Sequence, residues 1–262
     1  MRSRPASPTR CSTVATADAE LRWRTWAAEA FGTFLLLFGG LSAVALDFGA
    51  GSPVADAIPS EAVRRLLTGL LFAGWVPLIA TSPIGRLSGS HLNHAVTLAF
   101  AVMGRVSRRD VAGYLGAQLL GAVAGAAAFH GVWGHVATSV EGGRTLPAVA
   151  APAALAIEAA MTGGLVALIF ALTSRMSLAR LTPFVVWPYI ASMTLLVAPS
   201  TGSSLNPARS EGPAIAFAQL SSLWIYVVGP IAGAVLVSAV WTRLHHSMHP
   251  RTHKLFHDPR YE

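Results

Sequence analysis

Two short segments of the chain each place an asparagine directly before a run of apolar residues. They read SHLNHA at positions 90–95 and SSLNPA at positions 203–208. An asparagine that caps a helix N-terminus accepts a backbone hydrogen bond through its side-chain oxygen and keeps its NH2 group as a donor. Two such donors brought together can orient a small polar solute, and this chemistry requires no nucleophile, metal ion or cofactor.

Charged residues near apolar stretches are the second set of candidate functional groups. Glu29 and Glu158 lie inside long apolar segments, and Arg209 follows the second asparagine. Carboxylates at such depth either relay protons or accept hydrogen bonds from irregular backbone. Arg209 either faces a transport path, where its donors would orient neutral solutes and repel cations, or pairs with a partner such as Glu211. The residue types alone leave these alternatives open.

The composition places these residues in a membrane. Hydrophobic residues make up 53% of the chain and charged residues 12%, whereas a soluble domain usually has about a quarter charged residues. A spanning helix needs about 20 mostly apolar residues. Two short apolar segments, Ala95–Met103 and Pro207–Phe217, predict re-entrant half-helices. Six longer segments predict spans near Trp26–Leu46, Leu66–Ser82, Val111–Trp133, Val149–Thr173, Leu181–Ser200 and Ser222–Trp241.

Basic residues predict the orientation of these spans. Of the 19 Lys and Arg residues, only Arg64, Arg65, Arg144 and Arg209 fall on the outer side of the predicted topology. The others fall on the side that holds both termini, which the positive-inside rule assigns to the cytoplasm. The formal charge of +7 therefore reflects topology. Nucleic-acid binding is disfavoured, because no soluble domain remains to display a basic face.

The two ends of the chain are polar. Residues 1–21 mix arginine with Ser, Thr and Pro, and we predict a disordered cytosolic tail rather than a signal peptide. Residues 245–262 form a histidine-rich cytosolic tail. Such a composition either binds metal or is simply solvated near the membrane, and the second interpretation is favoured. We therefore predict no metal site.

The region between the tails, residues 22–244, contains two related halves. The first half, about 22–134, holds the segment SHLNHA, and the second, about 149–244, holds SSLNPA at the equivalent place. Each half carries three spans, so the second half must insert upside down, and the half-helices meet at their N-termini near the bilayer midplane. The predicted fold is an all-α membrane protein with six transmembrane helices and two re-entrant half-helices in an inverted repeat.

At these motifs the chain resembles the aquaporin, or major intrinsic protein, family, from about Trp23 to Leu244. The second motif matches the family's Asn-Pro-Ala box, and the first matches it except at one position. The resemblance implies an hourglass-shaped channel in which Glu29 and Glu158 accept hydrogen bonds from the backbones of the re-entrant loops. It assigns six residues to the pore constriction: Asn93, His94, Ala95, Asn206, Pro207 and Ala208.

The single departure from the family motif is His94, where the family has proline. Proline at the first helical position is preorganised and lacks an amide hydrogen that would have no partner there. Histidine restores that hydrogen and adds a titratable ring. Two interpretations follow: a pH-responsive element, or a neutral ring that packs near the midplane. The second is favoured, because two facing helix N-termini disfavour a protonated ring.

The family also has a narrower selectivity filter, and spacing from the two motifs places it at Ala73, Thr194, Ser203 and Arg209. Small side chains opposite an arginine imply a wider aperture than in water-selective members, which usually carry an aromatic residue and a histidine there. A shift of one residue in the second span would put Phe72 in place of Ala73 and narrow the aperture. The resemblance thus implies passive passage of water and small uncharged solutes, such as glycerol, urea or metalloid acids, with protons and ions excluded.

Two other functions remain as alternatives. A secondary transporter also uses inverted repeats and broken helices, although neither motif contains a carboxylate. A strictly water-selective aquaporin is the other. An enzyme is disfavoured, because no catalytic Ser/His/Asp set, metal-ligand cluster or phosphate-binding loop falls at a common site. By resemblance we further expect a homotetramer with one pore per subunit, and the preference for arginine over lysine indicates a bacterial cytoplasmic membrane.

Overall fold

The chain folds into helices joined by turns and short loops. The computed structural model describes residues 9–245 and 249–252, with side chains from Arg22 onward, and contains no β-strand in these ranges. A turn of 3-10 helix covers Glu141–Gly143. The α-helices described are α1 (Thr9–Phe48), α2 (Pro53–Ala57), α3 (Glu61–Thr81), α4 (Pro83–Ser88), α5 (His94–Val102), α6 (Arg108–Trp133), α7 (His135–Ser139), α8 (Ala151–Thr173), α9 (Met176–Ala179), α10 (Thr182–Thr201), α11 (Pro207–Ala216) and α12 (Leu223–Leu244).

Six helices in the described part of the chain are long and apolar enough to cross a membrane. They are the Arg22–Phe48 part of α1, together with α3, α6, α8, α10 and α12. Each coincides with a predicted span. The predicted half-helices are α5 and α11, of nine and ten residues. The prediction of an all-α membrane fold with six spans and two half-helices is confirmed.

The helix α1 extends beyond the predicted boundary of the channel region. It begins at Thr9, so residues 9–21, for which the sequence predicted disorder, are helical. The run ADAEL before Arg22 contains strong helix formers, which favour this continuation. Residues 1–8 lie outside the described residues, and so does the histidine-rich tail apart from His245 and residues 249–252.

The same close packing of two helices occurs in each half of the chain. The helix α6 packs against α1 at Gly121, where an added Cβ would lie 2.1 Å from the carbonyl oxygen of Ala30. The helix α12 packs against α8 at Gly233, where an added Cβ would lie 2.0 Å from the carbonyl oxygen of Ala159. Glycine allows the two backbones to come this close. The two helix contacts thus occur at equivalent positions of the two repeats.

Each half-helix is held mainly by a span from the other half of the chain, because α5 packs on α12 and α11 packs on α6. The contact is tight at Gly212 of α11, where an added Cβ would lie 2.6 Å from the carbonyl oxygen of Ala122. The half-helices therefore meet at their N-termini in the interior. We call the face on which the span of α1 begins and α12 ends the terminal face. The opposite face, which carries α2 and α7, is the loop face.

Candidate functional site

The two motif asparagines cap the half-helices and bind each other's loops. The side-chain oxygen of Asn93 accepts from the amide of Ala95 at 2.8 Å, and that of Asn206 accepts from Ala208 at 3.0 Å. The Nδ2 group of Asn93 donates to the carbonyl of Leu205 at 2.9 Å. The Nδ2 group of Asn206 donates to the carbonyl of Leu92 at 2.7 Å. Each NH2 group thus uses one hydrogen to join the two loops and keeps the other as a donor.

The backbone before each asparagine adopts the same unusual conformation. Ser90 and Leu92 have φ of 51° and 52°, and Ser203 and Leu205 have φ of 52° and 54°. This left-handed region is unfavourable for residues that carry a Cβ, and it persists only where the surroundings hold it. Both re-entrant loops therefore need strong anchors.

A buried carboxylate anchors each loop. Glu29 accepts from the amide of Leu92 at 2.5 Å. Glu158 accepts from the amides of Ser204 and Leu205, each at 3.0 Å, and from the hydroxyl of Thr201 at 2.7 Å. Both carboxylates are fully buried. These contacts satisfy backbone groups that lipid could not.

Gln118 completes the first anchor, a role that the sequence did not reveal. Its Nε2 group donates to Glu29 at 2.7 Å and to the hydroxyl of Thr97 in α5 at 3.0 Å. The signal available in the sequence is a polar side chain within an apolar span, because a buried polar group requires hydrogen-bond partners.

The ring of His94 lies beside the second half-helix and lines neither of the cavities described below. Its Nε2 atom is 3.0 Å from the carbonyl oxygen of Leu115 in α6, so this nitrogen carries a hydrogen. Its Nδ1 atom is 3.2 Å from a carboxylate oxygen of Glu211 in α11. Glu211 therefore approaches His94, and the histidine connects α5 to α6 and α11.

Two cavities lie among the helices, one toward each face. The inner cavity, toward the terminal face, has a volume of about 140 Å³ and is lined by both motif asparagines. Arg251 and Thr252 also line it, and the amide of Arg251 donates to the carbonyl of Thr173 at 3.4 Å. The outer cavity, toward the loop face, has a volume of about 190 Å³. The two cavities share part of their lining.

Four residues line both cavities and so form the border between them: Phe72, Ile190, Ser204 and Arg209. The guanidinium carbon of Arg209 lies 5.3 Å from the ring centre of Phe72, within the range of a cation–π contact. Its Nη1 group donates to the carbonyl of Gly143 at 2.7 Å. The border thus combines two apolar walls with a hydroxyl and a positive charge.

This border differs from the filter inferred from spacing. Ala73 is only 1% exposed and lines the inner cavity alone, whereas Phe72 occupies the border. Thr194 lines the outer cavity alone, and its hydroxyl donates to the carbonyl of Ile190 one turn away. Ser203 also lines only the outer cavity.

The spacing from the first motif indicates Ala73 rather than Phe72 because the chain between the second span and this motif is irregular. Counting back from Asn93 passes through the short helix α4 and through Pro77, which lies inside α3. Neither feature has the regular rise of an uninterrupted helix. Residue spacing therefore cannot fix which side chain of α3 faces the border.

A chain of hydroxyl groups supports the second loop behind the border. The Oγ atoms of Ser204 and Ser210 are 2.7 Å apart, and Thr145 Oγ1 lies 2.7 Å from Ser210 Oγ. Ser204 also donates to the carbonyl of Asn206 at 2.9 Å. The loop that precedes α8 is thus connected by hydrogen bonds to the border residue Ser204.

Within the part of the chain that the structure describes, no group of three or more His, Cys, Asp or Glu side chains is arranged to hold a metal ion. The polar groups that line the two cavities are the asparagine amides, hydroxyls, the imidazole of His91 and the guanidinium groups of four arginines, Arg65, Arg144, Arg209 and Arg251. They can donate hydrogen bonds to a passing solute.

Comparison with known proteins identifies the fold and the family. The family described as "Major intrinsic protein" matches residues 16–241. Aquaporin NIP1-3 of Oryza sativa subsp. japonica is 34% identical over 209 residues, which cover 79% of this chain and 69% of the relative. Aquaporin Z of Brucella melitensis is 33% identical over 227 residues, which cover 83% of this chain and 96% of the relative.

A solved structure has the same fold. The aquaglyceroporin from Plasmodium falciparum superimposes with a TM-score of 0.70 at 23% identity, and the match covers 85% of this chain and 96% of that one. The family match, at residues 16–241, contains both asparagine motifs. The chain therefore belongs to the major intrinsic protein, or aquaporin, family.

Proposed function

We propose that this passive channel for water and small uncharged solutes selects them at the border between its two cavities and excludes ions there. The observation that carries the proposal is the set of side chains common to both cavities. A solute that moves from one cavity to the other must pass Phe72, Ile190, Ser204 and Arg209. No other described side chain lines both.

Ion exclusion follows from two arrangements of charge. Arg209 places a buried positive charge at the border, which repels cations. The N-termini of α5 and α11 meet near the asparagines, and each contributes about half a positive elementary charge. A neutral solute only reorients there, because the remaining amide hydrogens of Asn93 and Asn206 donate to it. A hydronium ion or metal cation gains no comparable partner.

We assign the constriction to the six motif residues and the loop-anchoring role to two carboxylates. Glu29 and Glu158 support this assignment through their bonds to loop amides rather than to the cavities. Of the six, the two asparagines line the inner cavity. The others hold the half-helix termini in position: His94, Ala95, Pro207 and Ala208.

The border favours solutes that have one polar side and one apolar side. Ser204 and Arg209 offer donors on one side, and Phe72 and Ile190 offer hydrocarbon on the other. Glycerol has this character. A strictly water-selective channel is the second candidate, because the Phe72 ring beside Arg209 narrows the aperture that Ala73 would have left open.

We further propose a homotetramer in a cytoplasmic membrane, with the terminal face in the cytoplasm. The basic residues near the ends of the spans support this orientation. Arg22 and Arg24 lie at the start of the α1 span, Arg105 and Arg108 lie where α5 is joined to α6, and Arg243 lies at the end of α12. All five are on the terminal face, as the positive-inside rule requires of a cytoplasmic face.

The test of the filter is a stopped-flow series in proteoliposomes with water, urea, glycerol and boric acid. We expect the wild type to conduct water and the smallest solutes. Phe72→Ala should raise glycerol permeability relative to water by roughly tenfold, because removing a ring relieves a steric barrier of about 1.4 kcal/mol. Ala73→Gly is the matched control, since Ala73 lines only the inner cavity.

The outcomes separate the candidates. Passage of water alone in the wild type, with glycerol passage gained in Phe72→Ala, would select the water-selective channel. Equal glycerol-to-water ratios in Phe72→Ala and the wild type would contradict a filter at the border. Saturable or ion-coupled uptake would contradict a passive channel.

A further inference from the structure

The outer cavity carries an unusual concentration of hydrogen-bond donors. Three arginines line it, namely Arg65, Arg144 and Arg209, and no acidic residue does. Four hydroxyl side chains line it as well: Thr68, Thr194, Ser203 and Ser204. With a volume of about 190 Å³, it has room for a small solute and several waters.

The charges of the two outer arginines are only partly compensated. Arg65 lies 3.2 Å from Glu61, and Arg144 lies 3.1 Å from Glu141. These two carboxylates are 68% and 60% exposed, whereas the side chains of Arg65 and Arg144 are 25% and 12% exposed. Exposed carboxylates are screened by water and salt far more than the groups that line a recessed cavity. The cavity therefore keeps a positive potential.

Two donors at this cavity have no partner among the described residues. The hydroxyl of Ser203 is one, and this residue is only 7% exposed. The Nε group of Arg65 is the other. The remaining hydroxyls are already engaged: Thr68 donates to Asp47 at 2.5 Å and Thr194 to a backbone carbonyl at 3.0 Å. Buried donors without partners favour an acceptor-rich ligand.

We propose that the outer cavity binds one small oxyanion, such as sulfate or a phosphate ion, through Arg65, Arg144, Ser203 and Arg209. Guanidinium groups match the oxygens of such anions in geometry and charge. The inference deepens the proposed function, on which it rests, because Arg209 also belongs to the border. A bound oxyanion occupies the approach to the border, and the apolar walls at Phe72 and Ile190 keep it from passing.

This site makes the channel sensitive to anions that it does not conduct. Water permeability falls as the outer cavity fills, in proportion to the occupied fraction. The effect follows simple mass action, so it depends on the anion concentration and not on ionic strength alone.

The experiment compares chloride with sulfate at matched ionic strength and osmolality, with the same salt on both sides of phosphatidylcholine proteoliposomes. A zwitterionic lipid excludes anionic headgroups as the source of any effect. Stopped-flow water permeability of the wild type is expected to be at least about twofold lower in sulfate than in chloride, as for a site more than half occupied. In Arg65→Gln/Arg144→Gln the ratio is expected to return to one.

Two further variants serve as controls. Arg180→Gln removes an exposed arginine near the terminal face and is expected to keep the full sulfate effect. Arg65→Lys/Arg144→Lys keeps both charges but loses the planar fork of donors, so it is expected to keep a weaker effect. If Arg65→Lys/Arg144→Lys shows no sulfate effect on water permeability, the contribution of charge to anion binding at this cavity is contradicted.

The result is interpretable even if the channel proposal fails. If the protein conducts no water in chloride, the proposed channel function is contradicted. If water permeability is normal in chloride and identical in sulfate, only the oxyanion site is contradicted. A sulfate effect that survives in Arg65→Gln/Arg144→Gln would also overturn the site. Thermal unfolding in detergent checks that this variant folds, and sulfate should raise the melting temperature of the wild type more than that of the variant.

Discussion

The two re-entrant loops reach the same backbone geometry by different means. Their left-handed residues have φ values within a few degrees of each other, and their asparagines exchange equivalent hydrogen bonds. The second loop begins its half-helix with Pro207, which is preorganised for that position. The first begins with His94, whose ring reaches Leu115 and Glu211 instead.

The anchors have the same plan with one addition. Glu158 accepts two loop amides and a threonine hydroxyl within the second half. Glu29 accepts the loop amides of His91 and Leu92. It also accepts from Gln118 of α6. Each loop is therefore held by a carboxylate of its own half, and the first half adds an amide side chain from its third span. A duplicated unit can thus diverge while its backbone stays fixed.

The largest effect is expected from removing either loop anchor. Glu158→Leu leaves two loop amides and a hydroxyl buried without acceptors, which should cost about 3–6 kcal/mol at about 1–3 kcal/mol for each group. Glu29→Leu should cost a similar amount, because two loop amides and the amide of Gln118 lose their acceptor. Thermal unfolding in detergent and water permeability would measure both variants. Glu158→Gln, which keeps one acceptor oxygen, is the control. A cost below about 1 kcal/mol for either leucine variant would contradict its role as a loop anchor.

The helix packing should also be equally sensitive in the two halves. Gly121→Ala and Gly233→Ala place a Cβ about 2 Å from a carbonyl oxygen in their respective partner helices. Each should lower the free energy of unfolding by roughly 1–3 kcal/mol, as overpacking does. Gly116→Ala in α6 has no atom within 4 Å of the added Cβ and should be neutral or stabilising. A loss confined to one half would show that the packing is not equivalent.

The contact between His94 and Glu211 should be measurable as a coupling between the two half-helices. Because Nε2 carries the hydrogen, Nδ1 is an acceptor, and the amide of Glu211→Gln can donate to it. Glu211→Gln should therefore stabilise the wild type by about 1 kcal/mol and have less effect in the His94→Pro background, where the ring is already absent. A double-mutant cycle on thermal unfolding gives the coupling. Glu61→Gln, at an exposed position, should show none with His94→Pro. Strict additivity of His94→Pro and Glu211→Gln would exclude an energetic coupling between the two residues.

The smallest effect is expected from pH. His94 lines neither cavity, so its protonation should not alter the path directly. Between pH 5 and 8, the dependence of water permeability on pH should be the same in the wild type and in His94→Pro. His91 lines the inner cavity in both proteins and provides the reference for any shared change. A pH response that disappears in His94→Pro would support the pH-responsive interpretation of this residue.

The features that the sequence predicted well depend on local signals. Span lengths follow from runs of apolar residues, and the half-helices follow from asparagine caps after the Gly-Ser turns at Gly89 and Gly202. Each signal lies within a few residues of the structure it determines. The meeting of the two loops followed from the repeat, because an odd number of spans in each half inverts the second half.

The features that could not be predicted depend on contacts between distant segments. The filter register in the second span depends on how α4 and Pro77 redirect the chain, and residue counting does not capture such bends. The approach of His94 to Glu211 requires that two half-helices from different halves lie side by side. The role of Gln118 requires the same knowledge for α1, α5 and α6.

The turn Glu141–Gly143 on the loop face holds the side chain of Arg209 at the border between the two cavities. The carbonyl of Gly143 binds the guanidinium of Arg209, and Gly143 itself has a φ of 69° and would meet Leu41 at 2.5 Å if it carried a Cβ. A connecting segment outside the spans therefore fixes the orientation of the buried arginine. Selectivity can then evolve by substitutions in an external turn, without any change in the helices that cross the bilayer.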